Sequence, residues 1–193
     1  MLGRLRIRHY RGGEKMSGAD NQQERLPQDE RFQWFLAGII EGEGSVTVSI
    51  KAHPSAKFGY YVDPEFFLYQ KVEGRKILEM AKKFFGTGRI YPKPGNEEVL
   101  VFAITNRRSL KEKVLPFLKK YMVYSPRIEK YKIFTEIVED MENRKHWTPQ
   151  GLARIVEKAY ALNPDSKGKE RKRELEEVLG RILRDHTPDA FRE

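Results

Sequence analysis

Residues 36–44 read Leu-Ala-Gly-Ile-Ile-Glu-Gly-Glu-Gly, and residues 45–53 read Ser-Val-Thr-Val-Ser-Ile-Lys-Ala-His. The first stretch ends an apolar segment that begins at about Asp29, an N-cap residue, and it predicts a helix buried on more than one side. Gly42 and Gly44 are expected to stop this helix. The second stretch alternates with period two, which predicts a strand with its valines facing inward and its polar residues facing outward. A buried helix that leads directly into a half-buried strand decides the fold.

The rest of the chain alternates strand patterns with helix patterns. Strands are predicted over about 61–70, 89–93 and 99–105, and a Pro-Gly-Asn turn joins the last two. Helices are predicted over about 73–85, 107–120, 126–143, 148–162 and 169–184. The resulting order, αββαββα followed by further helices, predicts an α+β fold with a four-stranded antiparallel sheet.

Composition favours a protein that binds a polyanion. The 193 residues include 37 Lys and Arg against 28 Asp and Glu, which gives a formal net charge of +9. No apolar run approaches the roughly 18 residues of a membrane helix, and no signal-peptide pattern follows the Arg-rich start. The absence of Cys excludes disulfides, thiol nucleophiles and zinc–cysteine sites. With only four His in the chain, any metal is expected to be held by oxygen.

The chain divides into three predicted regions. Residues 1–28 are basic and lack a sustained period, which predicts a poorly ordered arm. Residues 29–143 carry the alternating strands and helices, and residues 144–193 are predicted to form a helical extension. This extension contains a basic run at 167–173, which is interpreted as a solvated helix end, with a phosphate contact as the alternative.

Two features of residues 36–44 indicate a functional role rather than simple burial in the core. Gly38 lies in the middle of the predicted helix, where Gly costs about 0.5–1 kcal/mol relative to Ala unless a close backbone approach recovers it. Glu41 and Glu43 lie at the C-terminal end of the helix, where the macrodipole disfavours negative charge. Acids in electrostatically poor positions indicate a bound cation.

Residues 36–44 resemble the nonapeptide of the LAGLIDADG homing endonucleases, with Ile for Leu at Ile39 and Glu for Asp at Glu41 and Glu43. Further matching segments are Gln70-Lys71, Gly86-Thr-Gly-Arg-Ile90 and Leu115-Pro-Phe-Leu-Lys-Lys120. The resemblance covers about 29–143 and implies the family's αββαββα fold with a saddle-like antiparallel sheet. The chain contains one copy of the motif, which implies a homodimer.

The resemblance also implies roles for individual residues. Glu43 would bind the metal together with the carbonyl of Gly42, and Gln70 would order water in the active site. Lys120 or Lys119 would stabilise charge at the cleaved phosphate, and the local spacing leaves the choice between them open. The implied cofactor is Mg²⁺, with Mn²⁺ as a substitute, because an oxygen-only site that keeps several waters suits these ions.

Two surfaces are implied as well. The dimer interface is expected to contain Leu36, Ala37, Gly38, Ile39 and Glu41. The outward positions of the first and third strands are expected to read bases in the major groove, where each base pair presents a distinct pattern of donors and acceptors. These positions are Ser45, Thr47, Ser49, Lys51, His53, Arg89, Tyr91 and Lys93, with Arg75 as a further basic residue nearby.

The implied activity is hydrolysis of both strands of double-stranded DNA, across the minor groove of a long, partly palindromic site. Such an enzyme would serve the homing of an intron or intein, in a prokaryotic cytoplasm or in an organelle, with no membrane partner. The alternative is a non-cleaving relative, such as a transcriptional regulator or an RNA maturase with RNA as its partner. The presence of Glu43, Gln70 and Lys119 or Lys120 favours the nuclease, because a pure binder has no use for an acid that faces phosphate.

Four other polar residues are weaker candidates for a catalytic or metal-binding role. His53 and His146 are candidate general bases, and a surface or DNA-contacting role is the favoured interpretation for both. Asp63 and Glu65 are candidate metal ligands, and contact with bases or solvent is favoured for them.

Overall fold

The computed structural model describes residues 28–162 and 173–184. Helix α1 spans Gln28–Glu43 and leads without a loop into strand β1, Gly44–Ala52. The other strands are β2 (Tyr60–Lys71), β3 (Arg89–Lys93) and β4 (Asn96–Ile104). Between β2 and β3 lie a single 3₁₀ turn, Val72–Gly74, and helix α2, Arg75–Phe85.

The chain beyond β4 is helical. One stretch joins α3 (Arg107–Ser109), a π-helical turn (Leu110–Val114) and α4 (Leu115–Tyr121). It is followed by α5 (Ile128–Glu142), a 3₁₀ turn (Lys145–Trp147), α6 (Pro149–Leu162) and α7 (Leu175–Ile182). Thr148 caps α6 as its sequence predicts, since its Oγ1 accepts a hydrogen bond of 3.1 Å from the Gly151 N–H.

The four strands form one antiparallel sheet in the order β1-β2-β4-β3. The inner face of the sheet is apolar, and α1, α2, α5 and α6 pack against its strands. Buried residues of this face include Val46, Val48, Phe66, Leu68, Leu100, Phe102 and Ile104. The sheet therefore has one face in the core and a second, outer face, and the predicted α+β fold is confirmed.

Two details differ from the expectations. β4 begins at Asn96 rather than 99, because Gly95 (φ 78°) allows a tight turn that pairs Lys93 with Asn96. The helix predicted over 169–184 begins only at Leu175 within the described residues, after Glu174 in an extended conformation. The predicted arm at 1–27, the basic run through 172 and the loop before it lie outside the described residues. Within the described residues, no helix combines the length and apolar character needed to cross a membrane.

Candidate active site

The C-terminal end of α1 is the candidate active site. Glu43 is the last residue of the helix and is exposed, and a Cβ built on Gly42 would meet nothing within 4 Å. The antiparallel register pairs Gly44 with Leu68, so Gln70 lies two residues beyond that pair, at the same end of the two strands as Glu43. The register of β1 and β2 therefore places at one end of the sheet two residues that the sequence separates by 27 positions.

Arg127 holds this end of α1 in place. Its guanidinium donates to the carbonyls of Gly44 (2.8 Å), Ile40 (3.0 Å) and Glu41, and its Nε donates to Glu41 Oε1 at 3.1 Å. Because the last carbonyls of a helix lack partners within the helix, one arginine here replaces several missing hydrogen bonds. The carbonyls of Gly42 and Glu43 are not among those that Arg127 binds.

Arg127 is a residue of this candidate site that the sequence-based reasoning missed. It precedes α5 directly, at a helix N-terminus, where the macrodipole disfavours positive charge. Glu41 is negatively charged at the C-terminus of α1, where the macrodipole also disfavours its charge. The two side chains form an ion pair, although 86 positions of sequence separate them. A charged residue at the helix end that disfavours its charge is the feature that points to Glu41 and Glu43, and Arg127 shares this feature.

The donors at this end of α1 fit a divalent cation only in part. Glu43 offers an exposed carboxylate, and the C-terminal end of a helix carries partial negative charge that attracts cations. In 28–162 and 173–184, however, no three His, Asp or Glu side chains come close enough to hold a metal ion together. A metal at Glu43 would therefore need further oxygen ligands, from backbone carbonyls, DNA phosphates or a second copy of the chain.

The structure does not bring Lys120 to Glu43. Lys120 Nζ lies 4.9 Å from the centre of the Tyr121 ring, and a contact with this residue raises the pKa of Lys120, with a smaller effect from Glu30. Glu30 lies at the opposite end of α1, and thirteen residues of helix correspond to about 20 Å. Lys119 borders a groove of about 760 Å³ between α4 and α5. The basic residue found at the end of α1 is Arg127 instead.

The outer face of the sheet carries the residues predicted to face outward, and some of them are paired. Ser45, Thr47, Ser49 and Lys51 alternate with inward residues along β1, as expected. Lys51 forms an ion pair of 2.9 Å with Asp63, and this hydrogen bond raises the pKa of Lys51. Ser49 donates to Glu65 at 3.0 Å, so this part of the face presents carboxylate acceptors beside the expected donors.

The part of this face on either side of β4, where β3 and the end of β2 contribute side chains, is basic and aromatic. Arg89 lies over the Tyr91 ring (5.9 Å) and Lys93 over the Tyr69 ring (5.7 Å). Burial raises the pKa of the Tyr69 hydroxyl. Arg75 begins α2 on the core side and pairs with Glu79 at 2.8 Å, so it stands apart from the strand residues.

Neither histidine candidate lies at the carboxylate site. His53 follows β1, whose nine residues span about 30 Å from the end of α1, and its Nδ1 accepts from the Ser55 N–H at 3.2 Å. His146 lies in the turn before α6, where burial, aided by the charge of Arg107, lowers its pKa. His53 thus organises the β1–β2 turn, and the lowered pKa of His146 favours its neutral form.

Two residues expected at the dimer interface, Leu36 and Ala37, are buried within the chain itself. Leu36 is fully buried and Ala37 is 6% exposed, because both face the sheet rather than the open side of α1. Ile39 packs partly against the core, and Glu41 pairs with Arg127 of its own chain. The open side of α1 consists of Trp34, Phe35, Gly38 and Gly42.

The nonapeptide, the sheet that follows it and the helices behind that sheet place the chain in a known family. The model of the LAGLIDADG endonucleases matches residues 36–138, more than half of the chain, so the chain belongs to this family. The family and the enzyme class expected from residues 36–44 are thereby confirmed. Membership of this family implies use of a divalent metal.

Relatives and solved structures agree with this assignment. The DNA endonuclease I-CeuI of Chlamydomonas moewusii is 44% identical over 131 residues, and the chain spans 59% of its length. The homing endonuclease I-ApeII of Aeropyrum pernix is 33% identical over 153 residues, which cover 77% of this chain and 88% of that protein. The archaeal intron-encoded homing endonuclease I-Vdi141I, solved in complex with DNA, superimposes with a TM-score of 0.74 at 34% identity, over 80% of this chain and 96% of that one.

Proposed function

We propose that this protein is a site-specific homing endonuclease that hydrolyses both strands of double-stranded DNA with a divalent metal, most suitably Mg²⁺ with Mn²⁺ as a substitute. The observation that carries the proposal is an exposed carboxylate, Glu43, at the end of a helix that Arg127 fixes to the sheet edge beside Gln70. No hydrogen bond or ion pair to the Glu43 carboxylate is seen among the described residues, and a divalent cation would supply the positive charge that this acid lacks.

Each residue of the candidate active site has a separate role in the proposed hydrolysis. A bound divalent cation stabilises charge on the cleaved phosphate and lowers the pKa of the attacking water. Glu43 and the Gly42 carbonyl are the oxygen donors for that cation, and the Gln70 carboxamide orients water at the same strand end. Arg127 keeps the end of α1 in one geometry, which fixes where the Glu43 carboxylate points.

The proposed assembly is a homodimer that joins two α1 helices through their open sides. Trp34 and Phe35 are 42% and 48% exposed, which is unusual for large apolar residues on a helix next to the core. Gly38 and Gly42 have open space where a side chain would be, so two helix backbones can approach closely there. A dimer supplies the second carboxylate that a single chain lacks.

Gly38→Leu is expected to convert the dimer into monomers at micromolar concentration. Because nothing lies within 4 Å of a Cβ built at Gly38, the subunit itself accommodates the leucine and folds normally. Sedimentation equilibrium measures the mass, circular dichroism checks the fold, and Gly180→Leu, at another open helix glycine, serves as the control. A wild-type protein that sediments as a monomer, or a Gly38→Leu dimer, would contradict the proposed interface.

Base recognition is proposed for the outer face of the sheet, with Arg89 as its strongest donor. Arg89→Ala is expected to cost about 1–3 kcal/mol of binding at one base pair per half-site and to relax the preference there. Lys51→Ala should have a smaller effect, because the Lys51 ammonium group already forms an ion pair with Asp63. Binding to a full set of singly substituted targets measures both. Lys83→Ala, on the opposite side of the sheet, is the control, and a uniform loss for Arg89→Ala on all targets would refute base reading.

The proposed function is tested with a plasmid that carries the joined DNA flanks of the reading frame. The purified protein should convert the plasmid into one linear product with Mg²⁺ and should leave it intact with a chelator. The maturase alternative predicts the opposite: an intact plasmid, and accelerated splicing of the intron RNA.

A further inference from the structure

Gly74 lies directly against the side chain of Gln70. It is the last residue of the 3₁₀ turn that follows β2, and it precedes α2. A Cβ built on Gly74 would lie 2.6 Å from Gln70 Oε1, 3.2 Å from Gln70 Cβ and 3.4 Å from Gln70 Cδ. The Gln70 side chain therefore folds back over the turn that ends its own strand, in the space that the missing Cβ leaves.

The backbone does not require glycine at this position. Gly74 has φ −84° and ψ 7°, a conformation that residues with side chains adopt. The reason for glycine is therefore room for Gln70. The closest atom is the free end of a flexible side chain, so a methyl group at residue 74 moves the carboxamide without disturbing the packing of the core.

We propose that Gly74 is a positioning residue, which acts on cleavage by fixing the orientation of the Gln70 carboxamide. The proposal rests on the proposed function, in which Gln70 orients water beside Glu43. A group displaced by about 1 Å from its productive position can lose about a hundredfold in rate. A methyl group at residue 74 forces a displacement of that order, since contacts below 3.0 Å must open to ordinary van der Waals distance.

Gly74→Ala tests the proposal, with Gly180→Ala as the matched control at a glycine whose Cβ would meet nothing within 4 Å. Single-turnover cleavage at saturating DNA is expected to slow by about 10- to 100-fold for Gly74→Ala. The dissociation constant for DNA should equal that of the wild type, and circular dichroism should show that the variant is fully folded at the assay temperature. The control should match the wild type in cleavage rate, and a wild-type cleavage rate for Gly74→Ala would overturn the proposal.

A double-mutant cycle separates action through Gln70 from any independent effect. In a Gln70→Ala background, Gly74→Ala should cause no further loss, because the group that it displaces is gone. An equal loss in both backgrounds would overturn the proposal. If Gln70→Ala itself cleaves at the wild-type rate, the role of Gln70 in the proposed function has failed. That result differs from an equal loss for Gly74→Ala in both backgrounds.

Discussion

We expect that replacing Glu43 by Gln abolishes DNA cleavage and leaves DNA binding nearly unchanged. The amide keeps the size of the side chain but removes the charge that attracts a divalent cation to the end of α1. A loss of several kcal/mol of transition-state stabilisation corresponds to a rate reduction of about a thousandfold or more. Binding persists because the contacts proposed for DNA lie along the strands, away from the helix end. Cleavage rate and binding affinity for the same target duplex measure the two effects.

Glu157→Gln, an exposed acid on α6, is the control for this prediction. It should cleave at the wild-type rate, which excludes a general effect of reducing negative charge. A Glu43→Gln protein that cuts at a normal rate in Mg²⁺ would remove Glu43 from the site.

Arg127→Ala is expected to lower the free energy of unfolding by about 2–3 kcal/mol and to slow cleavage as well. The change leaves three carbonyls and the Glu41 carboxylate without their shared donor, in a region where both charged side chains are about one-third exposed. Arg127→Lys should retain part of the stability, because a single ammonium group cannot reach all the acceptors of a planar guanidinium. Urea unfolding and single-turnover cleavage measure the two consequences.

Arg108→Ala is the matched control, since Arg108 forms an exposed ion pair with Glu112 and is 81% exposed. Exposed pairs of this kind contribute little to stability, because water and salt screen their charges. If Arg127→Ala unfolds at the same urea concentration as this control, then Arg127 does not hold the end of α1.

Much of the fold follows from local patterns in the sequence. The alternation of Val46 and Val48 with Thr47 and Ser49 predicts both the strand and its two faces, because a strand has a fixed period of two. The cap at Thr148 is likewise a local signal. The π-helical turn at Leu110–Val114 carries no such signal, and the sequence predicts an unbroken helix there.

The parts of the site that escape prediction depend on contacts between distant residues. Arg127 meets Glu41 across 86 residues, and Lys51 meets Asp63 only through the register of β1 and β2. Leu36 and Ala37 are buried within their own chain, which the sequence does not reveal, because a helix that is apolar on nearly all sides does not show which side faces the sheet. Two adjacent lysines at 119 and 120 gave no means of telling which helix face meets the site.

The central claim is that the α1 end of each subunit cuts one DNA strand. Sequencing both ends of the linear product from the plasmid that carries the joined flanks tests this most directly. We expect one cut in each strand, at two phosphates that face each other across the minor groove and lie symmetrically about the centre of the target. Cuts confined to one strand, cuts scattered along the plasmid, or no linear product in Mg²⁺ would contradict it.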